Sequence, residues 1–312
     1  MLKKIAGFYA RFLVSFSAIG YRARAATWPA LAADFSGQTW VVSGASGGIG
    51  RAVTTEAARR GATVIALARS AARLAELATA APGRIIPVRA DLALVRDTRR
   101  AVGEIRATGR KVDVLVNNVG VLLDELTTTT EGFETSYATN LLNHFVLTEG
   151  LLGADVFAPG AAIVSMSSGG MYNAPLTLDY MGLKDPKSYR GVYAYAVHKR
   201  GQAEMTKYWH ARHAAGGLHF YVMHPGWADT DGVKTAMPNF RRRLRSVLRN
   251  SAQGADTAIW LAASRPATPG PEAFWFDRAP RPAHAYPHTA VTKYTPADLA
   301  RFLASHAASV PA

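Results

Sequence analysis

The sequence predicts an α/β fold with three αβα layers, in which a doubly wound parallel sheet forms one domain behind an amphipathic helical extension. Two observations predict this arrangement. Short apolar runs alternate with longer stretches of helical composition from Thr39 onward, which is typical of βαβ units. A glycine-rich turn also follows the first apolar run, as it does where a strand leads into a phosphate-binding helix. Such a Rossmann-type sheet is covered by helices on both faces.

Composition narrows the function. The chain has 312 residues, 49% of them apolar, which is enough for a sizeable core and argues against disorder as the main state. It contains no cysteine, so disulfides, thiolate metal sites and a cysteine nucleophile are excluded, and we predict no metal site. The net charge of +14 leaves three kinds of partner to distinguish: nucleic acid, an anionic membrane and a phosphorylated ligand.

The predicted strands lie in one continuous domain, residues 36–280, which no linker or internal repeat interrupts. Residues 1–35 form the helical extension, and residues 281–312 form a tail with a short helix. The six predicted strands are Trp40–Val42, Val64–Ala68, Ile85–Val88, Val112–Val116, Ala162–Ser165 and His219–Met223.

The extension is amphipathic, because its apolar residues recur at the spacing of one helix face. These residues are Ile5, Phe8, Tyr9, Phe12, Phe16 and Ile19. Two interpretations remain open: a helix docked on the domain or a second subunit, and a basic interfacial helix on anionic lipid. Mitochondrial import is a further alternative, since the segment is poor in acids. No window reaches the ~18 apolar residues of a membrane span, so we expect a cytoplasmic protein, with peripheral membrane contact left open.

The first predicted strand runs into residues 43–50, which read SGASGGIG. Glycines let the backbone turn tightly and approach a pyrophosphate, and the following helix presents free N–H groups to it. The spacing is G-x-x-x-G-x-G, which differs from the G-x-G-x-x-G of other dinucleotide-binding folds. An ordinary tight turn is the alternative. The predicted cofactor contacts here are Gly44, Gly47, Gly48 and Gly50.

The end of the second predicted strand indicates which cofactor is bound. An acidic residue there would accept a hydrogen bond from the ribose 2′-hydroxyl of NAD. Instead, Arg69 and Ser70 follow the strand, with Arg73 nearby, and their charge would attract a 2′-phosphate. We therefore predict NADP rather than NAD. The alternative is that Arg69 is simply a solvated arginine.

A tyrosine and a lysine lie four residues apart in the segment YAVHK. Tyr195 and Lys199 therefore share one face of a predicted helix. A phenol has a pKa of about 10, and a nearby ammonium lowers that pKa toward the range useful for proton transfer. Reduction of a carbonyl needs such a proton donor. The pair alone is unspecific, so its meaning depends on the motifs around it.

Further motifs accompany this pair. Asp91-Leu92 follows the third predicted strand, and Asn117-Asn118-Val119-Gly120 follows the fourth. Ser167-Ser168 follows the fifth strand, and HPGWADT, from His224, follows the sixth. Asn140 lies in the helix after the fourth strand. With these motifs in this order, the sequence resembles the short-chain dehydrogenase/reductase family. Residues 167–171, 224–233, 236–238 and 253–257 sharpen the resemblance to one of its members, with the retinol-dehydrogenase-like branch next.

The resemblance implies a role for each matched residue. Tyr195 would be the general acid in reduction, and Lys199 would lower its pKa and bind the nicotinamide ribose. Ser168 would hold the substrate carbonyl, and Asn140 would bind a water that links Lys199 to solvent. The remaining cofactor contacts would be Ser46 and Ile49 at the pyrophosphate, Asp91 and Leu92 at the adenine, Asn117 on the ribose side with Gly120 of the same motif, and Pro225, Gly226, Ala228 and Thr230 at the nicotinamide. His198 is expected to be solvated or at an interface.

Two segments are expected to shape the substrate site. Residues 171–191 are rich in apolar side chains and predict part of a pocket wall for a lipophilic carbonyl or alcohol, with packing on the domain as the alternative. Residues 234–249 carry five arginines and no acid, and predict a basic amphipathic helix that lies on a membrane or forms a solvated face. Nucleic-acid binding is disfavoured, because no aromatic residues alternate with the arginines and no binding module is present.

We therefore predict an NADP-dependent oxidoreductase that moves a hydride between the nicotinamide and a lipophilic carbonyl or alcohol. The alternative is an NADP-binding sensor or scaffold without turnover, although such proteins usually lack the tyrosine or the lysine. A dehydratase or epimerase is disfavoured by the glycine spacing and the modest C-terminal region. A homo-oligomer stays open, since the extension could block or create the contact through which helices of this family often pair.

Overall fold

The computed structural model describes residues 7, 11–183, 185–268, 270 and 273–311, and a sheet lies at its centre. The strands are β1 (Thr39–Ser43), β2 (Thr63–Ala68), β3 (Ile85–Arg89), β4 (Val112–Asn117), β5 (Phe157–Met166), β6 (His219–Met223), β7 (Ala273–Phe276) and β8 (Ala279–Pro282). They lie in the order β3-β2-β1-β4-β5-β6-β7-β8, and β1 to β7 are parallel. The predicted doubly wound sheet and its six predicted strands are confirmed.

The sequence analysis misses β7 and β8, which form an antiparallel hairpin at one edge of the sheet. Asp277 and Arg278 make its two-residue turn, and their φ angles are 49° and 57°. Turns of this kind favour asparagine or aspartate first and glycine second, so Arg278 stands where the glycine that signals such a turn would be. The sheet is therefore parallel except at this edge.

Helices cover both faces of the sheet. They are α1 (Ala18–Ala25), α2 (Gly48–Arg59), α3 (Ala71–Ala80), α4 (Val95–Ala107), α5 (Thr135–Tyr137), α6 (Asn143–Gly153), α7 (Gly191–His213), α8 (Asp231–Ala236), α9 (Pro238–Leu244), α10 (Ser251–Ser264) and α11 (Pro296–Ala308). A π-helical turn, Ala138–Leu142, joins α5 to α6. Neighbouring side chains of a central strand, such as Val41 and Val42, point into two different cores, which is why the strand is apolar throughout.

The N-terminal extension docks on the domain within the described residues. Phe12 and Phe16 pack in a third apolar cluster beside the β7–β8 hairpin. Helical residues 11–16 end at Ser17, whose backbone is extended, and α1 follows. Ile19 is 52% exposed, so the prediction that it shares the packed face is wrong, because the break at Ser17 changes the helical phase. The other predicted face residues, Ile5, Phe8 and Tyr9, lie outside the described residues.

Both segments expected to shape the substrate site differ from the prediction. Within residues 171–191, the side chains of Met171, Leu176 and Met181 are buried in the cores, so they pack on the domain and do not line an open wall. Residues 234–249 do not form one basic helix. Pro238 begins a separate helix, α9, since a proline is tolerated at a helix start but not inside one.

Carboxylates from outside that segment hold two of its five arginines. Arg241 donates to Asp229 at 2.6 Å. Arg249 is 1% exposed and donates to Asp277 at 2.6 Å. These two charges are therefore structural, and the arginines left exposed are Arg242, Arg243 and Arg245.

The chain after residue 280 completes the sheet and one core. β8 runs across that position, and α11 buries Leu299 and Leu303 in the core shared with α6 and α7. The division into extension, domain and tail at residues 35 and 280 stays a prediction.

Candidate active site

The glycine turn lies at the carboxyl end of β1 and leads into α2. Gly44 and Gly48 have φ angles of 68° and 50°, a conformation that favours glycine. A Cβ at Gly50 would lie 2.2 Å from the Gly44 carbonyl oxygen, so α2 approaches the turn this closely only without a side chain. Gly47 caps α2 with no side chain, which leaves N–H groups for an anionic ligand. The other predicted contacts, Ser46 and Ile49, lie partly exposed in this segment.

Ser43 and Asn118 join this turn to the end of β4. The Ser43 hydroxyl accepts hydrogen bonds from the N–H groups of Asn118 and Val119, at 2.9 and 3.0 Å. The Asn118 amide donates to the Ser43 carbonyl oxygen at 2.8 Å. Asn118 is a site residue that the sequence analysis does not select, although its place directly after a predicted strand, beside a second asparagine, is a signal for it.

Ser168, Tyr195 and Lys199 meet where β5 ends. Tyr195 and Lys199 lie one turn apart on α7, and the Lys199 Nζ is 5.6 Å from the Tyr195 ring centroid. Ser168 makes a side-chain hydrogen bond with Tyr195 and accepts another from the N–H of Gly170 at 3.1 Å. The Lys199 ammonium donates to the Met166 carbonyl oxygen at 2.8 Å, so the same strand end holds the lysine as well.

Burial shifts the pKa of both ionisable groups. It raises the pKa of the Tyr195 phenol, whereas the hydrogen bond with Ser168 lowers it. Lys199 is 2% exposed, and burial lowers the pKa of its ammonium to about 7. In this structure the hydrogen bond with Ser168 is therefore the influence that lowers the pKa of Tyr195.

Asn140 is fully buried in the π-helical turn. Its Oδ1 accepts a hydrogen bond from the N–H of Val121 and its Nδ2 donates to the Val121 carbonyl oxygen, both at 2.7 Å, which fixes the side chain. π-Helical turns are frequent at functional sites. A Cβ at Gly120 would lie 3.1 Å from Asn140 Oδ1 and 3.3 Å from Lys199 Nζ, so a glycine leaves room for both groups.

Gln202 bridges these groups and is missed by the sequence analysis. Its Oε1 accepts a hydrogen bond from Lys199 Nζ at 3.3 Å, and its Nε2 donates to the Asn140 carbonyl oxygen at 2.6 Å and to His144 Nδ1 at 2.9 Å. His144 Nε2 in turn donates to the Val119 carbonyl oxygen at 2.8 Å, a pattern that requires a neutral ring. Burial lowers the pKa of His144 to about 3. The available signal was the position of Gln202 three residues after Lys199 on one helix face.

The predicted nicotinamide contacts lie in the loop after β6, residues 224–230, and are Pro225, Gly226, Ala228 and Thr230. Thr230 lies against the glycine turn, since its Cγ2 would be 3.4 Å from a Cβ at Gly48. Its hydroxyl caps α8. Gly226 has a φ of 74°, and Ala228 is buried. The loop and the glycine turn therefore meet at the carboxyl edge of the sheet, where folds of this kind bind ligands.

The residues predicted to select NADP lie beside the same turn. Arg69 is exposed after β2. Ser70 caps α3, because its hydroxyl accepts a hydrogen bond from the N–H of Arg73 at 3.3 Å. The Arg73 guanidinium lies 3.8 Å from the position of a Cβ at Gly47. Arg73 therefore lies at the open side of the turn, and Arg69 is exposed at the end of the neighbouring strand.

Three predicted contacts are more enclosed. Asp91 accepts a hydrogen bond from the N–H of Ala93 at 3.1 Å, and Leu92 is buried. Asn117 is fully buried, and its Nδ2 donates to the Thr148 hydroxyl on α6 at 2.9 Å. The Asn117 side chain is thus directed to a helix and is not brought to the other site residues.

The prediction for His198 as a solvated residue is wrong. The side chain is fully buried, 3.5 Å from Ser136 Oγ and 3.6 Å from Glu134 Oε2. Burial lowers the pKa of His198 to about 3. The reason is tertiary: α5 packs against α7 and covers His198, and helical spacing alone does not show that neighbour.

Comparison with known proteins gives a consistent result. A family model described as short chain dehydrogenase matches residues 38–239. Dehydrogenase/reductase SDR family member 12 from Bos taurus is 34% identical over 296 residues, which cover 91% of this chain and 91% of that protein. Retinol dehydrogenase 14 from Mus musculus is 31% identical over 250 residues, which cover 73% and 74%.

Solved structures share the fold. A protein from Mycobacterium paratuberculosis superimposes with a TM-score of 0.63 at 28% identity, over 79% of this chain and 83% of its own. A structure from Beutenbergia cavernae, assigned as an NAD(P)-dependent gluconate 5-dehydrogenase and holding NADP at low occupancy, gives a TM-score of 0.60 at 26% identity, over 74% and 91%.

Proposed function

Because the chain belongs to the short-chain dehydrogenase/reductase family and is an oxidoreductase of CH–OH and C=O groups, we propose that it uses NADP(H) and that Tyr195 carries the proton. The resemblance found in the sequence is confirmed, including that to the retinol-dehydrogenase-like branch. The observation that supports the mechanism is the meeting of Ser168, Tyr195 and Lys199 at the end of β5.

The three side chains divide the proton chemistry. NADPH supplies a hydride when bound, so the substrate oxygen gains negative charge and needs a proton. The Tyr195 hydroxyl donates that proton, and the Ser168 hydroxyl, oriented by the N–H of Gly170, donates a hydrogen bond to the same oxygen. The Lys199 ammonium stabilises the phenolate left on Tyr195. In alcohol oxidation the phenolate accepts the proton instead.

The decisive experiment changes Tyr195→Phe, which removes only the phenolic oxygen. We expect kcat for carbonyl reduction to fall about 10²- to 10⁴-fold, because the proton donor is lost. NADPH affinity, measured by nicotinamide fluorescence, should stay within about twofold, a change below 1 kcal/mol. Wild-type turnover in the variant would refute the mechanism. A wild type that binds NADPH but reduces no aldehyde, ketone or sterol of a broad panel would favour the sensor alternative.

The glycine turn fits a dinucleotide, and its surroundings favour NADP over NAD. Arg73 lies beside the uncapped start of α2 and Arg69 stands after β2, where no acid is present to repel a 2′-phosphate. A charge-assisted hydrogen bond contributes about 1.5–3 kcal/mol, so each guanidinium that reaches the phosphate favours NADPH about tenfold or more.

Cofactor choice is tested with Arg69→Asp and with Arg110→Asp, which makes the same charge change in the exposed loop before β4. We expect the ratio of kcat/KM for NADPH over NADH to fall about tenfold or more in the first variant. The ratio should be unchanged in the Arg110→Asp variant, since Arg110 precedes β4 and lies at the amino-terminal ends of the strands. Equal use of both cofactors by the wild type would contradict the proposal.

For the substrate we propose a lipophilic carbonyl or alcohol. Support comes from the retinol dehydrogenase relative and from the aromatic pair of Trp227 and Phe240, whose ring centroids are 5.4 Å apart beside the loop after β6. In a series of straight-chain aldehydes, each added methylene should lower KM about fourfold, as burial of a CH₂ contributes about 0.8 kcal/mol. A KM independent of chain length would contradict this assignment.

Peripheral membrane contact is proposed for the outer face of the extension. Leu13 is 39% exposed, Val14 62% and Ile19 52%, and Arg22 lies exposed nearby. No helix among the described residues is long and apolar enough to cross a bilayer. The double change Leu13→Ser with Val14→Ser should reduce co-sedimentation with anionic vesicles, whereas Val291→Ser on the far C-terminal surface should not. Equal binding by all three proteins would remove the proposal.

A further inference from the structure

The helical residues 11–16, with Ser17 and α1, form a segment that we call the N-terminal arm, residues 11–25. The arm precedes the part of the chain that the family model matches. Yet the Phe16 ring contacts two segments of the candidate site, the one that follows β5 and the loop after β6. A Cβ at Gly169, the residue after Ser168, would lie 2.5 Å from it. The ring also makes edge contacts with Trp227 and His224, at centroid distances of 5.8 and 4.4 Å.

The break at Ser17 explains how the arm holds the loop after β6. A continuous helix would pair the carbonyl groups of Ser15 and Phe16 with N–H groups one turn later. The extended backbone of Ser17 frees them instead. The Phe16 carbonyl accepts from the N–H of Trp227 at 2.8 Å and from Arg249 Nε at 3.0 Å, and the Ser15 carbonyl accepts from Arg249 at 3.1 Å.

Arg249 connects the arm to the loop and to the β7–β8 turn. Its guanidinium makes two bonds to Asp277, at 2.6 and 2.8 Å, and both side chains are about 1% exposed. Its backbone N–H donates to the Trp227 carbonyl oxygen, and its carbonyl accepts from the Asp229 N–H, both at 2.8 Å. Arg24 of α1 also bonds Asp277 at 2.8 Å. Both charges of this buried pair have hydrogen-bond partners, and removal of either residue would leave the other charge buried and unpaired. The pair therefore favours one arrangement of the arm, the loop and the turn.

Two glycines make this close approach sterically possible. A Cβ at Gly226 would lie 2.4 Å from Arg249 Nε and 2.7 Å from the Phe16 carbonyl oxygen. A Cβ at Gly20 would lie 2.3 Å from the Val14 carbonyl oxygen. Gly226 thus lets the loop approach the arm, and Gly20 lets α1 pack closely on residues 14 and 15 within the arm.

From these contacts we infer that the N-terminal arm is part of the active site, with Phe16 and Arg249 as positioning residues. They hold residues 224–230 in the conformation that receives the nicotinamide end of the cofactor. The glycine turn, which faces the pyrophosphate, has no contact with Phe16 among those described, and neither have Asp91 and Leu92 on the adenine side. The inference rests on the proposed function for the identity of that ligand.

The test compares Phe16→Ala with Phe157→Ala. Phe157 is also buried but begins β5, at the opposite edge of the sheet from the site. Hydrogen exchange of amides 224–230, relative to those of β1, should accelerate about tenfold or more in the first variant only. The Kd for NADPH should rise about tenfold, whereas that for adenosine 2′,5′-bisphosphate, which lacks the nicotinamide, should stay within about twofold.

Unchanged exchange and unchanged NADPH affinity in Phe16→Ala would overturn the inference. An equal loss of affinity for both ligands would do so as well, since it would indicate a general loss of folding. If Phe16→Ala does not fold, Phe16→Leu keeps an apolar side chain and should show the same changes at reduced size. The exchange measurement needs no cofactor, so it tests the role of the arm by itself. A wild type that binds no NADPH would refute the proposed function, and the exchange of amides 224–230 would still decide whether the arm holds the loop.

Discussion

The two ends of the site are built in different ways. The glycine turn depends on the backbone conformation of its own residues, and hydrogen bonds between Ser43 and Asn118, 75 residues apart, join it to the end of β4. The loop after β6 is held by Phe16 and Asp277, which lie at opposite ends of the chain. The first end therefore needs only the pairing of two neighbouring strands, whereas the second needs the completed tertiary structure. Substitutions and pH should therefore affect the two ends differently.

Acid should produce the largest difference, because residues 38–120 contain no histidine. Burial lowers the pKa of His144 and His198 to about 3, and that of His224 well below its usual value. In the unfolded chain these groups bind protons below about pH 6.5, so the unfolded state binds more protons there and stability falls as pH falls. At pH 5 each of these buried histidines should lower the free energy of unfolding by about 2 kcal/mol.

Urea unfolding at pH 7 and pH 5, with hydrogen exchange at both, checks this prediction. Protection factors, which correct for the slower intrinsic exchange at pH 5, should fall first in α6, α7 and the loop after β6. His198→Gln should flatten the pH dependence, whereas His288→Gln, at an exposed position, should not. The raised pKa of Glu134, caused by burial beside His198, acts in the opposite sense and limits the effect. A stability that is equal at both pH values would contradict the prediction.

Gly50→Ala should be the next largest change and should act at the other end. The new Cβ would lie 2.2 Å from the Gly44 carbonyl oxygen and 2.5 Å from Asn118 Nδ2, neither of which can move without opening the turn. We expect a loss of about 2–3 kcal/mol in stability and binding of neither NADPH nor adenosine 2′,5′-bisphosphate in titration calorimetry.

The control for this change is Gly103→Ala in α4, where a Cβ meets no atom within 4 Å. It should stabilise the protein by about 0.5–1 kcal/mol, since alanine favours a helix over glycine. If Gly50→Ala bound both ligands as the wild type does, the close approach at the turn would be unimportant for binding.

Gln202→Leu should have the smallest effect. It changes only the hydrogen bonds near Lys199 and Asn140, which lie between the two ends of the site. The change removes the acceptor for Lys199 and the donor for Asn140 while keeping the volume similar. We expect kcat to fall about tenfold, or about 1.4 kcal/mol, with a shifted pH profile, and little change in KM for NADPH. Gln202→Glu keeps an acceptor for the ammonium and should recover part of kcat. A changed KM with an unchanged pH profile would indicate a purely structural residue.

Much of this molecule could be predicted from local patterns. The six central strands, the glycine turn and the Tyr195–Lys199 pair each depend on spacing within a short segment. The β7–β8 hairpin could not be predicted, because Arg278 occupies the turn position that glycine usually fills. The roles of Arg249 and Gln202 could not be predicted either. They depend on contacts with Asp277 and Asn140, which only the folded chain brings beside them.

The sequence by itself determined the family, the six parallel strands and the residue types that can bind a phosphate and transfer a proton. Those features depend on periodicity and on short motifs, which the backbone expresses locally. Only the tertiary structure decided that Phe16 lies under the loop after β6, that Arg249 is a buried partner of Asp277, and that His198 is enclosed. The physical reason is that burial and charge pairing depend on neighbours distant in the chain, and one side chain in water has a different pKa and a different role from the same side chain in a core.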